Sequence, residues 1–185
     1  MNFGLIIEEK ICTKLSSKCV EKNLCPSHDP FTYMQRGKRL TKKNQKKGTR
    51  PYVSSTSLHN GIDNFISNKK NIRIFDDCLS LANSGSVGKV FYHVYSFIAS
   101  DHVSALKNTM LNKCQYLFLA VAIERIAGKY SFNREINNER LKKEKILLPV
   151  TPANTPDWQY MENYMKNIEM KQIKDWLSCK KVSHD

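Results

Sequence analysis

The sequence predicts a mixed α/β domain, closer to an α+β arrangement than to regular alternation, closed by a C-terminal helix. Three observations lead there. Short runs of aromatic and β-branched residues alternate with clusters of Gly, Pro, Asn and Ser, the pattern of strands and turns. Two longer segments, 109–127 and the stretch from Thr155 onward, carry apolar residues at helical spacing. A chain of 185 residues with 41% hydrophobic content can build one real core, with room for an appendage.

Residues 1–30 read as a lead-in. They mix Lys, Ser and Cys without clear periodicity and end on turn signals at Cys25-Pro26-Ser27-His28-Asp29-Pro30. Residues 31–34 read as a short strand and 37–50 as a long basic loop. A strand is expected at 51–54, a turn at Asn60-Gly61, and short strands at 65–66 and 72–75. Leu79-Ser80-Leu81-Ala82 leads into a glycine-bearing loop, Asn83-Ser84-Gly85-Ser86-Val87-Gly88-Lys89. Residues 91–98 then read as one strand buried on both faces.

Residues 109–127 are the best internal helix. Met110, Cys114, Leu117, Val121 and Ile126 supply its core stripe, and Gly128 is placed to cap it. A basic, aromatic loop, Lys129-Tyr130-Ser131-Phe132-Asn133-Arg134, follows, and 146–150 is strand-like. In the last helix Thr155 suits the N-cap, Pro156 the first turn, and Asp157 the positive end of the helix dipole. Trp158, Met161, Met165 and Ile168 form one stripe, which Ile173 and Trp176-Leu177 continue. Such a face needs a partner surface, on its own domain or on another chain.

Charge is the clearest functional signal. The formal net charge is +13. Between Phe31 and Ile62 there is no acidic residue, yet there are eight basic ones: Arg36, Lys38, Arg39, Lys42, Lys43, Lys46, Lys47 and Arg50. The hydroxyl-rich run Pro51-Tyr52-Val53-Ser54-Ser55-Thr56-Ser57 comes directly after. A mobile cationic segment leading into hydroxyls suits a nucleic-acid duplex, because cations hold phosphates and hydroxyls reach phosphates or base edges.

Other classes lack their parts. The longest apolar run, Leu117 to Ile123, is seven residues, far short of the ~20 that span a bilayer. With Glu8 and Glu9 directly after Leu5-Ile6-Ile7, the N-terminus does not read as a signal peptide, and a cytoplasmic protein is expected. Six cysteines in such a chain are expected to be reduced. The spacing of Cys12, Cys19, Cys25 and His28 matches no common zinc finger, so neither a metal nor a cofactor is expected. Glu8-Glu9-Lys10 and Asp76-Asp77 do not complete a metal-dependent nuclease motif. No Asn/Asp-Pro-Pro-Tyr/Phe segment of an amino-methyltransferase is present. Ser84 to Lys89 lacks the spacing of a phosphate loop, and His93 and His102 read as structural. No catalytic residue is assigned.

Five segments in order resemble the DNA-specificity domain of type I restriction-modification systems and of related fused type II enzymes. They are Phe31-x5-Gly37-Lys38-x-Leu40; Gly48-x2-Pro51-Tyr52-Val53-Ser54 with Asn60-Gly61-Ile62; and Leu81-Ala82-Asn83-x-Gly85-Ser86-Val87-Gly88 with Phe91-Tyr92. Then come Lys129 to Arg134 with Arg140-Leu141 and Ile146-x2-Pro149, and finally Pro156-Asp157-Trp158-x2-Met161-Glu162-x2-Met165. Full specificity subunits carry two recognition domains separated by long helices; this chain resembles one.

The resemblance implies a non-catalytic module with a lead-in at 1–30, a DNA target recognition domain at 31–155, and a C-terminal helix at 156–185 for dimerisation or subunit docking. Its implied partners are double-stranded DNA, modification methyltransferase and restriction subunits, and a second copy of the chain. The expected DNA contacts are Lys38, Arg39, Lys42, Lys43, Lys46, Lys47, Arg50, Tyr52, Ser54, Ser55, Thr56, Ser84, Ser86, Lys89, Tyr130, Asn133 and Arg134. The expected protein interface is Trp158, Met161, Met165, Ile168 and Trp176. The rival readings are a small nuclease with an unrecognised site and an RNA-binding protein that stacks bases on Tyr52, Tyr130 and Phe132.

Overall fold

The structure is a computed structural model that describes residues 19–23, 30–131 and 133–182. Strands β1 (Cys19–Asn23) and β10 (Lys145–Pro149) form an antiparallel pair. Strands β2 (Tyr33–Arg36), β9 (Val103–Lys107), β6 (Cys78–Ala82) and β7 (Val90–His93) form an antiparallel sheet in that order. A second sheet runs β4 (Ile62–Ile66), β3 (Lys47–Val53), β8 (Phe97–Ala99), β5 (Ile74–Phe75), with β3 and β8 parallel. The helices are α1 (Lys113–Glu124), α2 (Asn138–Lys143) and α3 (Trp158–Val182). The mixed, α+β-like class with a terminal helix is therefore the one expected from the sequence.

Strand β6 is buried at every residue because it lies between two cores. Leu79 and Leu81 face the main core, shared with α1 and α3, while Cys78 faces a smaller core with Val53, Phe75, Phe97, Ala99, Val103 and Ala105. Burial pushes the Cys78 thiol up to about 12, which keeps it a protonated packing group at neutral pH.

Several boundaries differ from the sequence expectation. The lead-in supplies β1, whose partners lie at the far end of the chain: Cys19 pairs with Pro149 and Asn23 with Lys145. The basic loop is shorter than expected, because β3 begins at Lys47. The single strand expected at 91–98 is broken at Val94-Tyr95-Ser96 into β7 and β8, which belong to different sheets. Helix α1 starts at Lys113, where Asn112 closes a capping box: its side chain accepts from the Gln115 N–H at 3.1 Å, and Gln115 Oε1 accepts from the Asn112 N–H at 3.0 Å. Met110 therefore lies outside the helix and is exposed. The buried face of α1 is instead Tyr116, Leu119 and Ile123, with Phe118 and Ala120. Tyr116 stacks on Tyr92 of β7 at 5.1 Å between ring centroids, and Phe118 meets Tyr164 of α3 edge-on at 5.9 Å. Gly128 does not cap α1 in a left-handed conformation; the chain passes through a 3-10 turn at Arg125–Lys129.

Helix α3 begins two residues later than its sequence signals suggest. Asp157, not Thr155, is the N-cap, its carboxylate accepting from the Tyr160 N–H at 2.9 Å. Thr155 is engaged with Thr151 instead, hydroxyl to hydroxyl at 2.8 Å. The helix is 25 residues long, about 37 Å at 1.5 Å per residue. Among the described residues no helix is long and apolar enough to cross a membrane.

Candidate nucleic-acid interface

The basic loop is pinned to the second sheet, which corrects the expectation of a mobile segment. Leu40 and Ile72 cover Tyr52, Ile66 and Ile98 in a small core of their own. Asn68 clamps the loop from the neighbouring turn, donating to Asn44 O at 2.9 Å and accepting from the Lys46 N–H at 2.8 Å. Asn64 of β4 donates to Gln45 Oε1 at 2.7 Å. Tyr52 is consequently removed from the set of DNA contacts expected from the sequence. It is only 4% exposed, and its hydroxyl donates to Leu40 O at 3.2 Å. A strand residue faces core or solvent according to what packs on it, and here the basic loop itself packs on Tyr52.

The cations of this region share one electrostatic property. Elsewhere Lys89, Lys107, Lys113, Lys129, Lys142 and Lys166 each pair with a carboxylate. Among the described residues Lys38, Arg39, Lys42, Lys43, Lys46, Lys47 and Arg50 pair with none, and all but the half-buried Arg50 are exposed. The Asn68 clamp brings two more such cations beside them, Lys69 and Lys70. Sequence reasoning missed this pair because Asp63 ends the acid-free window before they are reached. The readable signal was Asn68-Lys69-Lys70-Asn71, a basic turn in which Asn71 is left-handed at φ 56°. Unpaired cations in a cluster leave a positive field that only an anion from outside neutralises.

The polar turns form a second cluster. The β3–β4 turn meets the glycine loop where the Ser86 N–H donates to Ser55 O at 2.9 Å, and the 129–136 loop joins where the Ile136 N–H donates to Asn83 O at 3.0 Å. Ser54, Ser55, Thr56 and Ser86 are half-buried at this junction, and Asn133 and Arg134 are exposed. Ser84 is corrected: it is buried, and its hydroxyl lies 2.6 Å from His102 Nδ1. Lys89 is exposed but lies 3.5 Å from the Glu124 carboxylate, so its charge is partly neutralised, unlike that of the unpaired cations.

Tyr130 supports Arg134 rather than offering a free stacking face. The guanidinium lies 5.6 Å from the ring centroid. The Tyr130 hydroxyl donates to the Glu144 carboxylate, which Lys129 also contacts at 2.9 Å. Burial, followed by that hydrogen bond, raises the Tyr130 phenol to about 12. Burial also pushes Glu144 up, but hydrogen bonds from Tyr130 and Lys129 outweigh it and leave the carboxyl below its usual range. Phe132, together with Cys12, Cys25 and His28, lies outside the described residues.

Strand β3 spans the two clusters. Its Lys47 end carries the clamped lysines, and its Val53 end leads into the polar turn, about 20 Å away at 3.3 Å per residue. Lys38 and Arg39 lie at the polar end, because the Lys38 N–H donates to Ala99 O at 3.1 Å and Ala99 pairs with Val53.

Behind this surface His93 is fully buried, with Nε2 2.8 Å from Ser80 Oγ and Nδ1 3.1 Å from the Tyr95 hydroxyl. Burial depresses its pKa to about 4. Below about pH 6.5 the unfolded chain takes up a proton that the folded chain refuses. Stability is thus fully present above that pH and falls by about 1.4 kcal/mol per unit as pH drops toward 4. Urea denaturation at pH 7 and pH 5 is expected to show this loss, and His93→Gln to reduce it. An unchanged difference in the variant would show that other groups carry the dependence.

Helix α3 divides in two, which corrects the expected interface. Met161 is 0% and Met165 9% exposed, both in the domain's own core, and Trp158 and Ile168 pack against that core. Lys113 of α1 reinforces the contact through Glu169 at 2.9 Å. Beyond this point Met170, Ile173, Trp176 and Leu177 are exposed.

Known proteins share this architecture. The S subunit of a type I restriction-modification system from M. genitalium superposes with a TM-score of 0.57 at 17% identity, covering 96% of this chain and 46% of that one. The HsdS subunit from Thermoanaerobacter tengcongensis gives 0.54 at 14% identity, covering 86% and 39%. In sequence, 147 residues are 37% identical to the specificity subunit S.BcgI of a type II restriction enzyme from Heyndrickxia coagulans, which is 78% of this chain and 43% of the relative. The chain thus spans less than half the length of the relatives it matches. Residues 28–176 match the family described as the type I restriction modification DNA specificity domain. That match takes in the clamped lysines, the polar turns and the first part of α3. Fold, relatives and family match agree, and the chain belongs to the type I restriction modification DNA specificity domain family, the recognition rather than the catalytic part of such systems.

Proposed function

We propose that this domain reads one half of a bipartite DNA target and directs methyltransferase and restriction subunits to it. The observation that carries the reading is the strip of unpaired cations, Lys38 to Arg50 with Lys69 and Lys70, leading along β3 to a cluster of polar turns. The strip holds phosphates and sets register, and the turns reach base edges. Arg134, braced on Tyr130, is the strongest base reader, because a bidentate Arg–guanine pair discriminates by about 1–3 kcal/mol. Ser54, Ser55, Thr56, Ser86 and Asn133 surround it in the same cluster.

The rivals fit less well. Of the three rings offered for RNA stacking, Tyr52 is buried and Tyr130 carries Arg134 on its face. Of the carboxylates of a nuclease reading, Glu8 and Glu9 lie outside the described residues, and the other two are engaged elsewhere: Asp76 pairs with Lys107 at 2.7 Å, and Asp77 accepts from the Tyr92 hydroxyl at 2.7 Å.

Selection from a random duplex pool, with and without a modification methyltransferase subunit, tests this function. A consensus in the enriched pool is the expected result, and none in either arm would overturn it. Arg134→Ala is expected to relax one position of that consensus by about 1–3 kcal/mol. A uniform loss with the consensus intact would make Arg134 a phosphate contact.

The distal half of α3 is the docking element of this reading, with Met170, Ile173 and Leu177 at spacings of three and four on one face. It joins a partner subunit or a second copy of the chain, the latter giving a two-fold symmetric target. Met170→Glu, Ile173→Glu and Leu177→Glu together are expected to leave the fold intact and abolish association in sedimentation experiments. A parent chain that is monomeric at high micromolar concentration and also binds no methyltransferase subunit would refute the assignment.

A further inference from the structure

A groove of about 490 Å³ opens between the β3–β4 edge and the turn joining β7 to β8. Arg50, Lys69, Thr49, Ser67, Tyr95 and Ser96 line it, and no carboxylate does. We propose that this groove seats one backbone phosphodiester of the bound duplex, gripped jointly by Arg50 and Lys69. The inference rests on the reading of the chain as a DNA-recognition domain and adds a specific contact to it.

Four observations support the assignment. The two cations come from different segments and converge on one space, and neither is paired with a carboxylate among the described residues. The Thr49 and Ser96 hydroxyls add donors of the kind that phosphate oxygens accept from. The walls are fixed. Ser67 is tied to the loop through its N–H to Lys46 O at 2.8 Å and its hydroxyl to Lys47 O at 2.9 Å. Gly48 permits that approach, since a Cβ there would lie 2.5 Å from both Ser67 N and Ser67 Cβ. Tyr95 is 39% exposed, but its hydroxyl is held from inside by His93, itself held by Ser80. Finally, the groove continues the cationic strip, because the chain enters it directly from Lys46 and Lys47 and leaves it at Lys70. A continuous track suits a phosphate within a strand better than the terminal phosphate of a free nucleotide, although both present the same oxygens.

The test uses the duplex obtained by site selection, made with a single neutral methylphosphonate at each backbone position in turn. Wild-type protein is expected to lose about tenfold in affinity at one position. The Arg50→Ala/Lys69→Ala protein is expected to show that loss on unmodified DNA and to be indifferent to methylphosphonate at that position. Its log–log salt slope falls by about 0.9, the value for one phosphate, whereas two separate phosphates would give about 1.8. Lys69→Ala alone, at an exposed turn, is expected to reduce the methylphosphonate effect at the same single position without disturbing β3. A sensitivity map unchanged in both variants, or a slope change near 1.8, overturns the shared seat. Binding of deoxynucleoside monophosphate that depends on Arg50 and Lys69, with the duplex map unchanged, would make the groove a small-molecule site and also overturn it. If wild-type protein selects no duplex at all, the DNA-recognition reading falls and this one with it.

Discussion

Replacing Lys42, Lys43, Lys46 and Lys47 together with alanine is expected to weaken binding to every duplex alike and to lower the log–log salt slope by about 3.6, at 0.9 per phosphate released. All four side chains are exposed, and none is engaged with a carboxylate among the described residues. Their backbone is held by Asn64, Asn68 and the Leu40–Tyr52 contact, none of which the substitutions touch. The loss therefore reports on charge and not on unfolding. Between 50 and 200 mM salt a slope of that size is worth about a hundredfold in affinity. Fluorescence anisotropy across that range, on the selected target and on a scrambled duplex, measures it. Unchanged affinity and slope would make the strip a solvated face. A loss confined to the selected target would place these lysines among the base readers.

A large effect on stability is expected at Gly88. Its φ is +81°, and a Cβ added there would lie 2.1 Å from Ala127 Cβ in the turn that follows α1. A left-handed alanine costs about 1–2 kcal/mol, and forcing a methyl into a filled contact costs about 1–3 kcal/mol more. Gly88→Ala should thus destabilise by about 3 kcal/mol, lowering Tm by about 6–12 °C in a chain of this size. Gly128→Ala is the internal control. No atom lies within 4 Å of a Cβ there and the residue is not left-handed, so the change should be neutral or slightly stabilising. Equal thermal shifts in the two variants would show that the glycine loop does not press on the end of α1. Because Ser86 hands its N–H to Ser55 from the same loop, Gly88→Ala is also expected to blur the selected consensus in whatever fraction remains folded.

These predictions draw unequally on sequence and structure. Motif order and charge were legible from the residues alone. Five spaced segments carried the family resemblance, and the acid-free run from Phe31 to Ile62 located the strip of unpaired cations. Both are properties of composition and spacing, which folding does not alter. The periodic segments were legible too, so both long helices and most short strands exist near their expected places.

Which face each element buries was not legible, because burial depends on a second surface. Tyr52 looked like an aromatic reader beside hydroxyls, but the loop carrying Leu40 folds over it. Met110, Cys114, Leu117, Val121 and Ile126 satisfied helical spacing, but Met110 lies outside α1, Cys114, Leu117 and Val121 are only half-buried, and of the five only Ile126, in the turn after α1, is buried, while the sheet and α3 enclose the Tyr116–Leu119–Ile123 face. Met161 and Met165 looked like half of an intermolecular stripe, and α1 covers them.

By itself, the sequence determined the fold class, the family resemblance, the absence of acid from the cationic run and the presence of a terminal helix, since each follows from residue type and local spacing. Only the tertiary structure decided that β1 pairs with β10, that Asn68 places Lys69 and Lys70 beside the basic loop, that Arg50 and Lys69 share a groove, and that α3 splits into a buried half and an exposed half. Each of these joins residues distant in the chain. Such contacts are selected by the free energy of burying one surface against another, a quantity that no single segment carries.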